Sequence, residues 1–180
     1  MVALIKRTLL VAALLAAATA LGQGERTLEP QIKAAFLYKF GGFVEWPAAA
    51  FARVDTAFSI GVVGADGVAA ELERLVAGRT VQGRSISVQR LKRADSLTGL
   101  HLLFVGRSEA GRLAEILGAA KGQPVLVVTE TEDALTRGSM INFITVDDKV
   151  RFDVALPQAE RGQLRISSRL LAVARKVITS

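Results

Sequence analysis

Three short apolar runs alternate with stretches of helical spacing, and that rhythm restricts the fold more than any other feature of the chain. Phe58–Val63, Leu100–Val105 and Val125–Val128 are nearly continuous in apolar character, as strands covered on both faces are. Between the first two lies Val68–Val76, with Leu72, Leu75 and Val76 at helical spacing and Gly78 closing it. After the Gly83-Arg84 turn, Ile86 and Val88, with Leu91, alternate with Ser85, Ser87 and Gln89, the pattern of a half-buried strand. Between the second and third runs comes a helix that Ser108 is expected to cap and that buries Leu113, Ile116 and Leu117. A β-α-β-α-β order predicts parallel strands with helices on both faces.

From Met140 the rhythm changes. Met140–Val146 and Val150–Leu156 read as strands separated only by Asp147-Asp148-Lys149. So short a link forces antiparallel pairing, because a parallel crossover needs about a dozen residues or more. Val150, Phe152, Val154 and Leu156 are expected to face one way, and Arg151 and Asp153 the other, towards solvent or a partner. A last helix is expected over Ser167–Val177, with Leu170, Val173, Ala174 and Val177 as its stripe. The predicted architecture is a mixed three-layer α/β sheet: mostly parallel central strands, a C-terminal antiparallel hairpin at the edge, and helices on both faces.

At the other end, Lys6 and Arg7 precede an apolar run from Thr8 to Leu21, and Ala18-Thr19-Ala20 gives a small-residue cleavage pattern. This is the layout of a secretory signal peptide, and the run falls short of the roughly 20 residues a spanning helix needs. An uncleaved membrane anchor is the competing reading; acylation is excluded, since there is no cysteine. We assign residues 1–22 to the signal, with cleavage expected after Ala20 or Gly22, and 23–180 to one α/β domain of an exported protein. Its removal takes away Lys6 and Arg7, leaving 21 basic against 17 acidic residues and lowering the net charge from +6 to +4. That excess is scattered, with no block of five or six like charges, so nucleic acid is a poor partner.

The segment after the leader is aromatic. Pro30 suits a first helical turn, and Ile32, Phe36, Phe40 and Phe43 follow at three- and four-residue steps. Gly41-Gly42 weakens the last turn, and Pro47 stops the Val44-Glu45-Trp46 tail. Aromatic clusters usually make core. Trp46, however, follows the helix break, and a tryptophan near a surface tends to mark a binding hot spot.

Catalytic constellations are poorly represented. With no cysteine and His101 as the one histidine, thiol chemistry, Cys-ligated metals and His-rich metal sites are excluded, and no cofactor is expected. Gly61, Gly64 and Gly67 lie where a dinucleotide-binding turn would. Their spacing is G-x-x-G-x-x-G, however, and no acidic residue ends the next strand, so an ordinary tight turn with Asp66 as helix cap is the better reading. Gly106-Arg107-Ser108 resembles a nucleophile elbow but has Ala110 where the second glycine belongs. His101, heading a covered strand, reads as a hydrogen-bonded structural residue. Glu130, Glu132 and Asp133 follow a strand end where open α/β folds bind ligands, so a cation or amine could sit there, although a solvated loop explains them as well. Three classes remain: a binding regulator; a small-ligand module using the Gly61–Gly67 turn or the Glu130–Asp133 loop; and, last, an enzyme. For a partner surface the sequence offers Phe43 and Trp46, with Arg151 as an outward charge.

Several stretches carry a resemblance. Lys33-Ala34-Ala35-Phe36-Leu37-Tyr38-Lys39-Phe40, followed by Phe43-Val44-Glu45-Trp46-Pro47, resembles the opening signature of the YfiR-like family of exported proteins. Gly83-Arg84, His101–Val105 through Ser108-Glu109, Gly138–Phe143 leading into Val150-Arg151-Phe152, and Leu164–Leu171 follow in the same order and spacing. The resemblance spans about residues 31–177. It implies a periplasmic α/β protein without catalytic activity that holds an inner-membrane diguanylate cyclase in its inactive state. An outer-membrane lipoprotein that sequesters the repressor, and a homodimer, are further family expectations. Cyclic-di-GMP and biofilm formation would rise on release. Some members carry disulfides, including a cysteine just before the histidine; here Leu100 stands at that position, so redox control through such bridges cannot operate.

Overall fold

The computed structural model describes residues 28–92 and 97–180. The expected signal peptide lies outside them. The chain opens with α1 (28–43) and β1 (Val44–Glu45). It continues through a 3₁₀ turn (Ala48–Ala50), β2 (Phe58–Val63), α2 (Asp66–Val76), β3 (Thr80–Val81) and β4 (Arg84–Leu91). Next come β5 (Leu102–Val105), a 3₁₀ stretch (Arg107–Arg112), α3 (Leu113–Ala120) and β6 (Leu126–Thr129). The hairpin β7 (Ile141–Val146) and β8 (Lys149–Ala155) is followed by α4 (Leu156–Arg161), β9 (Arg165–Ile166), α5 (Ser168–Leu171) and β10 (Lys176–Ile178).

Eight strands form one sheet in the order β10-β8-β7-β6-β5-β2-β4-β3, and β1 and β9 make a separate antiparallel pair. The five central strands β4, β2, β5, β6 and β7 run parallel, β7–β8 is antiparallel and β10 is parallel to β8. The strand alternation divides the apolar residues between two cores. Ile60, Val62, Leu102, Phe104, Leu126 and Val128 face α1 and α2. Val63, Leu103, Val105 and Val127 face α3, whose Leu113, Ile116 and Leu117 are buried as expected. The predicted three-layer mixed sheet is what the chain forms.

Four local expectations are corrected. The buried side of α1 is centred on Ala34, Leu37 and Phe40, while Phe36 and Phe43 are half-buried and Ile32 is 40% exposed. Small residues decide this: a Cβ at Gly41 would meet Val81 Cγ2 at 3.1 Å and Phe58 Cε1 at 3.2 Å, so the helix rests on its Ala/Gly side. Gly41-Gly42 does not weaken the turn either, because Gln82, itself at φ 51°, donates Nε2–H to Gly41 O (3.1 Å) and Val44 O (2.9 Å). The aromatic rings still pack, with Phe40 5.1 Å from Phe152 and 5.8 Å from Phe143.

Second, the C-terminal helix is four residues long, and the chain then becomes β10. Ser167 does cap it, its Oγ accepting from the Arg169 amide at 3.2 Å. Beyond Leu171 the open side of β8 competes successfully for the backbone: the Arg175 amide donates to Phe152 O at 2.9 Å, and Lys176–Ile178 pair with Asp153–Ala155. The hairpin is therefore interior, and β10 is the edge. Third, Asp153 is buried and ion-paired with Arg175 rather than turned to solvent, and Leu156 leaves the strand to begin α4. Fourth, neither expected helix cap forms: Asp66 lies inside the first turn of α2 behind Ala65, and Ser108 sits within a 3₁₀ stretch. The hairpin link is also tighter than drawn from sequence. Val146 pairs with Lys149, and the two turn residues, Asp147 and Asp148, both have positive φ.

Candidate functional site

The two ends of the parallel sheet carry different machinery. From β2 the chain crosses through α2 to β4, and from β5 it crosses through α3 to β6 on the other side. The order reverses between β2 and β5, the place where open α/β sheets bind ligands at their strand C-termini. There the two loops touch. Gly106 N–H donates to Val63 O at 2.8 Å, and a Cβ on Gly106 would fall inside Gly64 O. Ser108 Oγ donates to Gly64 O at 2.9 Å, and Gly64 is left-handed at φ 68°. Gly61 is explained separately: a Cβ there would meet Leu100 Cδ1 at 2.8 Å and Leu91 Cδ1 at 2.9 Å. Gly61 and Gly64 of the G-x-x-G-x-x-G run thus serve packing and a tight turn.

An open cavity of about 280 Å³ at this end is lined by Glu29, Lys33, Gly64, Arg107, Ser108 and Glu130, among others. Its centre is taken by the chain's own amine. Lys33 is 5% exposed and ion-paired with both Glu29 and Glu130. Glu130 also accepts the Arg107 amide at 2.9 Å. The amine that the acidic loop invited is therefore on α1. Glu132 and Asp133 are exposed. Ser108 and His101 lie at opposite ends of β5, about 13 Å of strand apart, so these two side chains do not pair.

At the N-terminal end of the sheet five side chains stack. The Arg84 guanidinium carbon lies 3.9 Å from the Phe51 ring centre. Phe51 stacks on His101 at 4.3 Å, His101 on Phe58 at 5.3 Å, and Phe58 meets the edge of Trp46 at 4.9 Å. Backbone groups fix the imidazole. The Ser59 amide donates to Nδ1 at 3.0 Å, so Nδ1 is unprotonated and Nε2–H donates to Ala50 O at 3.1 Å. Burial pushes the His101 pKa below its ordinary value and the nearby Arg84 charge adds to this, against the opposing pull of the Ala50 carbonyl. Arg84 Nη1 also donates to the carbonyls of Arg53 (3.2 Å), Val54 (2.6 Å) and Thr56 (2.9 Å). Arg84 thus fastens a loop whose tip, Val54, is 92% exposed. Sequence reading gave Arg84 only a turn; carbonyl acceptors leave no mark in a sequence.

Trp46 is half-buried, and its Nε1–H donates to His101 O at 3.0 Å. Phe43 is half-buried above the same core, and its carbonyl accepts the Ser167 amide. Arg151 is exposed on β8, alternating with Phe152, whose ring lies in the core under α1. Arg151 therefore points from the opposite sheet face, and the three expected contact residues fall into two patches. Among the described residues no three His, Cys, Asp or Glu converge to hold a metal ion, and no helix is long and apolar enough to cross a membrane.

Comparison with known families now has a fold to attach to. Residues 30–175 match the YfiR/HmsC-like family. The chain belongs to this family. No curated protein matches the chain. The matched span opens at the start of α1 and takes in every strand but β10. Membership implies a periplasmic regulator of diguanylate cyclase signalling rather than a catalyst.

Proposed function

We propose that this protein binds the periplasmic part of an inner-membrane diguanylate cyclase and holds the enzyme in its inactive state, lowering cyclic-di-GMP. The observation that carries this reading is the family match over residues 30–175. It is supported by the use of Lys33 and Glu130 to hold each other rather than a substrate. A repressor of this kind acts by linkage: it shifts the cyclase only to the extent that it binds the inactive form more tightly.

We place the contact on the rim formed by Phe43 and Trp46, with Arg151 on the far face as a second, charged patch. A tryptophan whose indole edge is half open and whose N–H is already held at His101 O is pre-ordered, which lowers the entropy lost on docking. An outer-membrane lipoprotein competing for the same rim would release the cyclase. Deleting the gene in a strain that carries the cognate cyclase should raise cyclic-di-GMP and surface attachment. An unchanged cyclic-di-GMP level would overturn the proposal.

A further inference from the structure

A cavity away from the two sheet ends lies between α3, α4 and the turns that follow β6. This cavity, of about 450 Å³, has an asymmetric wall. Its apolar members Leu117, Val127 and Met140 are 6%, 1% and 4% exposed, so they form the floor. Its charged members are Lys121, Arg137 and Arg161, all exposed and so placed at the mouth. Among the described residues no carboxylate lines it: Glu132 and Asp133 in the turns after β6, and Glu160 on α4, are not part of the wall. Arg161 is steadied by a 3.0 Å bond from Nη1 to Gln158 Oε1, a neutral partner that leaves its charge uncompensated.

We propose that this cavity binds a small amphiphilic anion, with a carboxylate or phosphate at the cationic mouth and an apolar body on the Leu117–Val127–Met140 floor. A cleft lined by charge of one sign concentrates the opposite charge, and two guanidinium groups suit the forked geometry of carboxylate and phosphate oxygens. The cations alone would take any anion. The dry floor adds selectivity, because only a ligand with an apolar body removes that surface from water. A volume of this size fits a small metabolite and excludes a protein segment.

The test is a titration of the ¹⁵N-labelled protein with octanoate and, separately, with inorganic phosphate, followed through the amides of Gly118, Gly122 and Gly138. Octanoate should give saturable shifts confined to these residues and their neighbours, and phosphate should bind at least about tenfold more weakly. The variant Lys121→Gln/Arg137→Gln/Arg161→Gln should lose octanoate binding by at least about tenfold while keeping the spectrum of the folded protein elsewhere. If the triple variant does not fold, Arg137→Gln alone should weaken octanoate measurably. Unsaturable or scattered shifts, equal affinity for phosphate and octanoate, or binding indifferent to the substitutions would each overturn the assignment. The outcome is independent of the regulator reading, because the cyclase-binding rim shares no residue with this cavity.

Discussion

The chain's single histidine makes an unusually clean pH experiment. His101 is held neutral by an amide donating to Nδ1 and a carbonyl accepting from Nε2–H, and it is 1% exposed. A second proton on Nδ1 would confront the Ser59 N–H, break the 3.0 Å bond and place a cation two rings from Arg84. The folded state therefore disfavours protonation, while the unfolded chain takes it up near the ordinary pKa of about 6.5. Between the folded and unfolded pKa values the unfolded state binds more protons, so stability rises with pH across that window. It is complete above about pH 6.5 and declines as the pH falls towards the folded pKa.

The slope cannot exceed one proton, or about 1.4 kcal/mol per pH unit. From about pH 7.5 to about pH 5.5 only the last unit counts, giving a loss of up to about 1.4 kcal/mol and a Tm drop of about 3–6 °C for a domain of this size. Thermal unfolding followed by Trp46 fluorescence would measure it. His101→Phe keeps a ring between Phe51 and Phe58 but strands Ser59 N–H and Ala50 O, at about 1–3 kcal/mol for each. It should be less stable at neutral pH yet lose less on acidification, the difference being at most about 6 °C from the same ~1.4 kcal/mol ceiling. Equal pH dependence in the two proteins, or an imidazole titrating at or above about 6.5 in the folded chain, would refute the reasoning.

Other outcomes follow from the same geometry. Lys33→Met should cost about 3–5 kcal/mol in urea denaturation by leaving Glu130 buried and unpaired, and adding Glu130→Gln should recover most of it. Gly106→Ala should cost at least about 3 kcal/mol, since backbone opposes backbone at Gly64 O and neither side can yield. Trp46→Ala should weaken cyclase binding by about 2 kcal/mol, roughly 30-fold in Kd, provided circular dichroism shows the fold retained. Trp46→Phe, which loses the bond to His101 O and part of the ring area but keeps an aromatic ring, should bind better than the alanine variant. Arg151→Glu should leave Tm unchanged while slowing association with the cyclase domain, measured by surface plasmon resonance at low salt.

The central sheet was legible because its strands are buried on both faces and therefore advertise themselves as unbroken apolar runs. The hairpin was legible because the three residues read as its link leave no room for a crossover. What escaped was decided by competition between distant parts. Leu170, Val173, Ala174 and Val177 do lie at helical spacing, but β8 offers the chain an unsatisfied row of hydrogen-bonding groups, and sequence periodicity carries no information about that row. The α1 stripe was misplaced by about one residue because aromatic bulk outweighed Ala34 and Gly41 in the pattern, whereas close packing favoured the small residues. At the candidate sites the same limit applies. Glu130 was visible as an acid at a strand end, but its partner Lys33 lies 97 positions away. His101 was rightly read as structural, yet nothing near it in sequence named Ser59, Ala50 or Arg84.

The shortness of β10 has a practical corollary for anyone producing the protein. Family similarity stops at residue 175, one position before the three residues that seal the flank of β8. A chain trimmed to that boundary would strip Asp153–Ala155 of their neighbouring strand, leaving polar backbone groups that seek partners in other molecules. The last five residues, outside the matched span, thus carry the strand that covers this flank of β8.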